Sequence, residues 1–472
     1  MLRKTKIICT LGPATEDESV LRRLMLGGMN AARFNFSHCT HEDAAKKLEA
    51  VTRLREELGL PIATILDTKG PEIRVKTFQN GPVQLRAGDT FTLTTREVEG
   101  DEKMVSITYQ DLTKDLKAGA RVLIDDGLVE MRADHVSETD IVCTVLNGGR
   151  VSNHKGINVP GVQLSMPYLS ESDKNDLEFA AKMGFDFIAA SFVRTSADID
   201  YLRKYTQSLG WFDVRIIAKI ENVEGVRNID EILEASDGIM VARGDLGVEI
   251  PFEQIPSVQK QLIRKGYQAG KQVITATQML ESMITNPRPT RAEITDVANA
   301  IYDGTSAIML SGETAAGAFP VEVVRTMDLI ARTTEDDIDY KGMHSASRTK
   351  KNADIANAIA HATVTTAHDL DAAAILTVTM SGVTAREISK YRPCCPIISC
   401  TVSERVQRQM NLSWGVYPML VDEVANTDAL FDSSIHAALR SDMVNKGDIV
   451  VITAGAPVGV SNTTNMMKVE RI

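Results

Sequence analysis

The stretch RIIAKIENVEGV, residues 215–226, decides how the chain is read. It starts as an apolar run and is then broken by Lys219 and Glu221. Strand side chains alternate faces with a period of two, so Lys219 and Glu221 leave one face together while Ala218 and Ile220 fill the other. Charge this close to a core is costly unless it is paired or holds a ligand. The stretch therefore predicts a buried strand whose end carries chemistry.

Similar runs lie on both sides. Upstream, TKIICTLGP, NAARFNFSH and PIATILDTKGP read as strands, the first two followed by the amphipathic segments DESVLRRLMLGG and HEDAAKKLEAVTRLREELG. Downstream, DFIAASFV, RIIAKIEN, DGIMVARGDLG, KQVITATQML and SAIMLSGET are each followed by a helical segment. Three strands and five make eight. Parallel strands need crossover helices and closure removes sheet edges, so the expectation is an α/β chain built on a (β/α)8 TIM barrel. An open doubly wound sheet is the structural alternative.

Between Gly70 and Pro167 the texture changes to short runs such as FTLTT, MVSITY and DIVCTVLNGG broken by Gly, Asp and Asn, which predicts an all-β insertion. After Thr349, AILTVTM, PIISCTV, DIVVITAG and a final MMKVERI predict a separate α/β unit, with the polar DYKGMHSASRTKKN before it as linker. The expected division is residues 1–70 and 168–345 for the catalytic barrel, 71–167 for an inserted β-barrel lid and 346–472 for a C-terminal regulatory domain.

Composition narrows the function. The 472 residues suffice for two or three domains, and 43% hydrophobic with 24% charged residues is ordinary for a globular protein. No apolar run is long enough to span a bilayer, and MLRKTKIICTLGP lacks the features of a secretory signal, so a cytoplasmic, membrane-free chain is expected. A net charge of −11 argues against nucleic-acid binding. The six cysteines show no paired zinc spacing and read as buried thiols.

Barrel enzymes work at the C-terminal ends of their strands, and here those ends are polar: Arg33, Asn35, Ser37 and His38; Asp67, Thr68 and Lys69; Ser191 and Arg194; Lys219 and Glu221; Arg243 and Asp245; Thr275 and Thr277; Ser311 and Glu313. Any one of them alone reads as a helix cap or a surface ion pair. Together they concentrate charge on one rim. Glu221 and Asp245, on neighbouring strand ends, could hold one hard divalent ion, and magnesium suits two carboxylates better than zinc does. Lys219 could be a Schiff-base amine, but an adjacent carboxylate favours its ammonium form, which suits stabilisation of transferring phosphoryl charge.

IIAKIENVEG, NAARFNFSH, LDTKGPEIR, VARGDLGVEI, TATQMLESM, NPRPTRAE and IMLSGETAAG, in this order, resemble pyruvate kinase, and the resemblance runs from residue 3 to the C-terminus. It implies transfer of the phosphoryl group of phosphoenolpyruvate to ADP, giving ATP and pyruvate. It also implies roles for single residues. Lys219 and Arg33 would meet the phosphoryl group, Glu221 and Asp245 would bind Mg2+ (or Mn2+), and Gly244, Asp245 and Thr277 would receive the substrate carboxylate. Asn35, Ser37, Asp67 and Thr68 would hold K+, with Glu72 marking potassium dependence. Asn35, Phe36, Ser37, His38, Arg74 and Lys155 would bind the nucleotide, the lid closing over it. Thr277, Ser311 and Glu313 would relay the enolate's proton. Thr379, Ser381, Gly382, Val383 and Thr384, in a turn before a helix starting at Ala385, would bind a phosphorylated effector, with the GVSNTTN turn, residues 459–465, opposite. A homotetramer is implied, and the chain stops where some bacterial members continue into a phosphotransferase-like domain. A magnesium-dependent lyase or aldolase making a pyruvate enolate, and a catalytically silent effector-binding regulator, are the alternatives.

Overall fold

The strands Lys6–Thr10, Ala31–Asn35, Ala63–Asp67, Phe187–Ala190, Arg215–Ile220, Gly238–Ala242, Gln272–Ala276 and Ala307–Leu310 close into a barrel in which each pairs in parallel with its neighbours in sequence and the first pairs with the eighth. This is a computed structural model, and it describes residues 2–346, 354–424, 426–455 and 464–472. The open doubly wound alternative is excluded by the closed order. Period-two alternation sorts the side chains into two cores. On the fifth strand Ile216, Ala218 and Ile220 pack outward with the helices, whereas Ile217 joins Ile8, Ile65, Phe187, Met240, Ile274 and Met309 inside the barrel. Lys219 lies on the inward face, two residues beyond Ile217. Helix starts are capped where the sequence allows it: Ser170 with Asp173, and Thr290 with Glu293, form reciprocal capping boxes.

The insertion forms a seven-stranded sheet with Ile73–Arg74 at one end and Met104–Ser106 at the other, and a two-stranded ribbon. The two ends meet through backbone bonds, Thr108 N–H to Arg74 O at 2.9 Å and Lys76 N–H to Ser106 O at 2.8 Å. The unit has its own core, with Phe91, Val105, Val122, Met131 and Ile141 fully buried. One short helix, Leu112–Asp115, interrupts the all-β pattern.

The C-terminal sheet has five strands in the spatial order Val416–Leu420, Ile397–Thr401, Ala374–Val378, Ile449–Gly455, Thr464–Arg471, the last antiparallel. The edge strand Val416–Leu420 escapes the sequence reading because it contains Pro418, which lacks an N–H and is tolerated only where no partner needs one. The effector-turn helix begins at Val383, two residues before the expected start at Ala385, with Gly382 as its cap at φ 77°. Part of the expected linker is helical, Tyr340–Ala346. Its remainder, and residues 459–463 of the GVSNTTN turn, lie outside the described residues. Among the six cysteines, Cys9, Cys143, Cys395 and Cys400 are buried as expected, but Cys39 and Cys394 are only half-buried.

The C-terminal unit closes the barrel's N-terminal end. Leu412 is a member of the barrel's inner cluster. Around it Gly415 N–H donates to Lys4 O at 2.9 Å, Asn411 Nδ2 to Pro61 O at 2.8 Å, and Arg408 Nε to buried Asp186 at 2.9 Å. These contacts cover the N-terminal mouth and leave the C-terminal rim facing the lid.

Candidate active site

Lys219 stands at the centre of that rim. Its Nζ is 3.0 Å from Asp67 Oδ1, 2.8 Å from Ser191 Oγ and 2.9 Å from Glu221 Oε1. Burial works against the ammonium, but Asp67 and Glu221 outweigh it and hold the lysine pKa above its usual value. The amine is therefore a fixed cation and not a Schiff-base nucleophile. Arg33 Nε donates to Asp67 Oδ2 at 2.6 Å and its Nη1 to Thr10 Oγ1 at 3.0 Å. Asp67, 1% exposed, thus holds two cations at once. Burial alone would raise its pKa; Arg33 and Lys219 bring it below the ordinary carboxylate value.

Glu221 is fully buried. One oxygen, Oε2, accepts the Phe192 N–H at 2.6 Å, while Oε1, although 2.9 Å from Lys219 Nζ, receives no well-directed hydrogen bond. Burial, reinforced by Asp245 and opposed by Lys219, pushes the Glu221 carboxyl up to about 8. Asp245 sits in the first turn of the helix Arg243–Glu249. Gly244 N–H at that helix start donates to Thr277 Oγ1 at 2.9 Å, and Thr277 Oγ1 donates to Ala276 O at 2.6 Å. Thr277 has φ 67°, an unusual conformation for a β-branched residue, and strain of this kind collects at working sites. A Cβ at Gly244 would come into ordinary contact with the Thr277 side chain, its nearest atom Oγ1 at 3.6 Å. Among the described residues no three His, Cys, Asp or Glu side chains gather to hold a metal, so a divalent ion at Glu221 and Asp245 would need substrate or water oxygens to complete its shell.

Asn35 and Asp67 are register partners on the second and third strands. Asn35 Oδ1 accepts the Ser37 N–H at 3.2 Å, and Thr68 Oγ1 accepts the Ser191 N–H at 3.1 Å. The four oxygen-bearing residues of the expected potassium set therefore sit on adjoining strand ends. Phe36 does not face them: its ring is 1% exposed and packs edge-on to Phe185 at 6.2 Å, so only its backbone is available to a nucleotide. Gly70 lets the third strand leave the rim here. With φ 74°, a Cβ would come within 2.8 Å of the Ser191 Cβ.

Above the rim a cavity of about 690 Å³ opens between barrel and lid, lined by His38, Arg74, Asp126, Lys155, Arg194 and Asp245 among others. Arg74 Nε donates to Glu72 at 2.8 Å and Nη1 to His154 O at 2.8 Å; Lys155 pairs with Asp125 at 2.8 Å. The lid touches the barrel through Asn158 Nδ2 to Glu249 Oε1 at 3.2 Å and Gln163 Nε2 to Glu224 Oε1 at 3.3 Å.

Two expected groupings are not assembled. Glu313 is buried and accepts backbone N–H groups of Ser311, 2.6 Å, and Leu280, 3.2 Å, while Ser311 Oγ has no hydrogen-bond partner, so no hydrogen bond joins Thr277 to Ser311 among the described contacts. In the C-terminal turn, Thr379 Oγ1 accepts the Gly382 N–H at 3.0 Å and the buried Thr384 hydroxyl bonds Thr464 Oγ1 at 2.6 Å. Two of the hydroxyls offered to an effector are committed internally; Ser381 and the Val383 backbone remain at the helix start.

Sequence reasoning missed Phe192 and Asp126. Phe192 acts through a backbone N–H presented at φ 53°, which leaves no trace in residue type. Asp126 lies in a turn, Asp125-Asp126-Gly127, with three consecutive positive φ angles; burial and Asp245 raise its carboxyl. The DDG triplet was the available signal, a turn motif whose tip the tertiary structure brings to the rim.

Fold and rim define an enzyme class: a TIM barrel with a lidded, doubly cationic pocket beside two carboxylates, suited to phosphorylated substrates. The family model described as "Pyruvate kinase, barrel domain" matches residues 2–324, and that described as "Pyruvate kinase, alpha/beta domain" matches residues 357–470. The pyruvate kinase of Geobacillus stearothermophilus is 50% identical over the whole chain and 81% of its own length; that of Clostridium acetobutylicum is 48% identical over 99% of both. The crystal structure of a pyruvate kinase from Cryptosporidium parvum superposes with a TM-score of 0.94 at 41% identity, covering 99% of this chain and 96% of that one. The chain belongs to the pyruvate kinase family. It is an enzyme of glycolysis that takes phosphoenolpyruvate and ADP to pyruvate and ATP, and the lyase alternative has no support among these relatives. No helix among the described residues is long and apolar enough to cross a membrane.

Proposed function

We propose that the phosphoryl group passes over Lys219, and the observation that carries this is the buried ammonium held between Asp67, Ser191 and Glu221 at the mouth of the plugged barrel. Breaking the ester P–O bond of phosphoenolpyruvate leaves an enolate, and the group moves to the terminal phosphate oxygen of ADP. Lys219 and Arg33 face charge that spreads over the equatorial oxygens, in a site that needs no reorganisation because Asp67 already fixes both cations. Glu221, whose Oε1 receives no well-directed hydrogen bond, and Asp245 are the residues that would hold Mg2+ or Mn2+, which would supply positive charge to substrate oxygens. The Gly244 N–H, which donates to Thr277 Oγ1 here, would receive the substrate carboxylate together with the Thr277 hydroxyl. His38, Arg74 and Lys155 line the nucleotide's cavity, which the lid units close against water. We read the chain as a catalytic barrel at 1–70 with 168–345, an inserted lid at 71–167 and a C-terminal regulatory domain at 346–472, a reading supported by the separate barrel, insertion and C-terminal sheets. The family resemblance supports a cytoplasmic homotetramer with a phosphorylated effector at Ser381 to Val383. Pyruvate formation followed by a coupled lactate dehydrogenase assay should depend strictly on ADP; release of pyruvate without nucleotide would sink the reading.

Potassium at Asn35, Ser37, Asp67 and Thr68 would sit beside two cations that already share Asp67, so it binds well only once substrate phosphates add negative charge. Glu72→Lys should relieve the potassium requirement at some cost in turnover, by bringing a tethered ammonium to the same cleft. Activity in potassium and in tetramethylammonium at equal ionic strength separates the cases. A wild type fully active without potassium overturns the assignment.

Because burial raises the Glu221 carboxyl to about 8, protons compete with the divalent ion throughout the neutral range. The group is ionised above that value and protonated below it, so affinity rises with pH. We expect Mn2+ affinity, followed by electron paramagnetic resonance in the absence of substrate, to fall up to about tenfold per pH unit below the midpoint. A flat profile from pH 8 to pH 6 (roughly the window below the raised carboxyl) would exclude Glu221 as a ligand.

A further inference from the structure

Far from the rim, the loop between the helix Val383–Ser389 and the strand Ile397–Thr401 carries adjacent thiols, Cys394 and Cys395, that the phosphoryl chemistry does not use. Cys394 is half-buried and reachable from solvent; Cys395 is 7% exposed. The Cys394 N–H donates to His368 Nε2 at 3.1 Å, which fixes the imidazole edge against this residue. His368 stands in a ring cluster, edge-on to His344 at 5.2 Å, and His344 stacks on His361 at 4.9 Å. No metal-holding group of three His, Cys, Asp or Glu side chains occurs among the described residues, this cluster included. Its chemistry is that of a thiol beside an imidazole and a second thiol. The Cys394 thiol is drawn down by the adjoining Cys395 thiol and then by His368, with burial opposing and Lys341 adding positive charge, while Cys395 is raised by Cys394 and by burial. The half-exposed thiol is thereby the more acidic of the two and the one that solvent reaches.

We propose that Cys394 is a peroxide-reactive thiol resolved by Cys395, a reversible oxidation site at the junction of barrel and C-terminal sheet. The Cys394 thiolate attacks one oxygen of hydrogen peroxide; an S–O bond forms, the O–O bond breaks, and the leaving hydroxide takes a proton to become water. The sulfur is oxidised to sulfenic acid and the peroxide is reduced. The Cys395 sulfur then displaces the sulfenic hydroxyl, which leaves as water with the Cys395 thiol proton, and the Cys394–Cys395 disulfide forms. Adjacent Cα atoms lie about 3.8 Å apart, closer than disulfides prefer, so the ring is strained and readily reduced by a dithiol. The loop is placed to transmit the change. Arg392, at φ 49°, lies 4.5 Å over the Trp414 ring and donates to Gly304 O in the barrel, and Lys4 lies 4.3 Å over Tyr340.

The test treats the folded full-length protein with limiting hydrogen peroxide and maps every thiol by peptide mass spectrometry. Loss of two hydrogens from the peptide holding Cys394 and Cys395, reversed by dithiothreitol, is expected, with Cys9, Cys143 and Cys400 unchanged. Cys39, the other half-buried thiol, should lag because burial and Asp43 push it up to about 11. In Cys395→Ser, dimedone should label Cys394 as its sulfenic acid. His368→Gln, with its circular dichroism unchanged, should slow iodoacetamide alkylation of Cys394 by roughly tenfold. If Cys39 reacts before Cys394, or Cys394 is no faster in wild type than in His368→Gln, the proposal is overturned.

Discussion

Replacing Lys219 by Met should lower turnover by ~10³-fold while leaving the fold and phosphoenolpyruvate binding nearly intact. The ammonium is held by Asp67, Ser191 and Glu221 before any substrate arrives, so its contribution grows only as charge gathers on the transferring group. A side chain of similar length keeps the packing against the barrel interior and removes the charge alone. Proton exchange on pyruvate should suffer less than phosphoryl transfer, because it involves no transferring phosphoryl group. The measurement pairs steady-state turnover with tritium exchange into pyruvate and with a binding titration. Turnover equal to wild type would remove Lys219 from the mechanism, and an equal loss in exchange would move it from phosphoryl transfer to enolate handling.

Asp67→Asn should be the most destabilising single change at the rim. The substitution preserves shape, yet it leaves Arg33 and Lys219 buried with Glu221 as the remaining carboxylate in contact with Lys219. Removing one member of such a buried network typically costs about 3–5 kcal/mol, and the melting temperature should fall by several degrees or more. A pH signature separates charge from packing. The native Asp67 pKa lies below its unfolded value, so its stabilisation is complete above the ordinary carboxylate range and is lost as pH falls toward the lowered native value. The gap between wild type and mutant should therefore narrow in acid. A melting temperature within a degree of wild type at neutral pH would show that the ion network is not structural.

Much of this was legible in the chain itself. Alternation along RIIAKIEN places Ile217 and Lys219 on one face, and the barrel uses that face as its interior up to the point where the lysine meets the rim. Eight such runs with helices between them have few ways to hide their edges, so closure followed from pattern. The strand Val416–Leu420 was not legible, since Pro418 is acceptable only at an edge and edge status is a property of the assembled sheet.

The site divides in the same manner. Side chains that had to be charged at a strand's end, such as Lys219, Glu221 and Asp245, announced themselves because charge against a core is expensive and rare. Groups that act through backbone or through distant contact did not. The Phe192 N–H on Glu221, the approach of Asp126 to Asp245 and the commitment of the Thr384 hydroxyl to Thr464 join segments far apart in sequence. The sequence by itself determined which residues could carry charge and which face each would take, because local periodicity and desolvation act residue by residue. Only the tertiary structure decided which charges share a partner, as Arg33 and Lys219 share Asp67, because Coulomb energy at a few ångströms depends on where packing leaves each group.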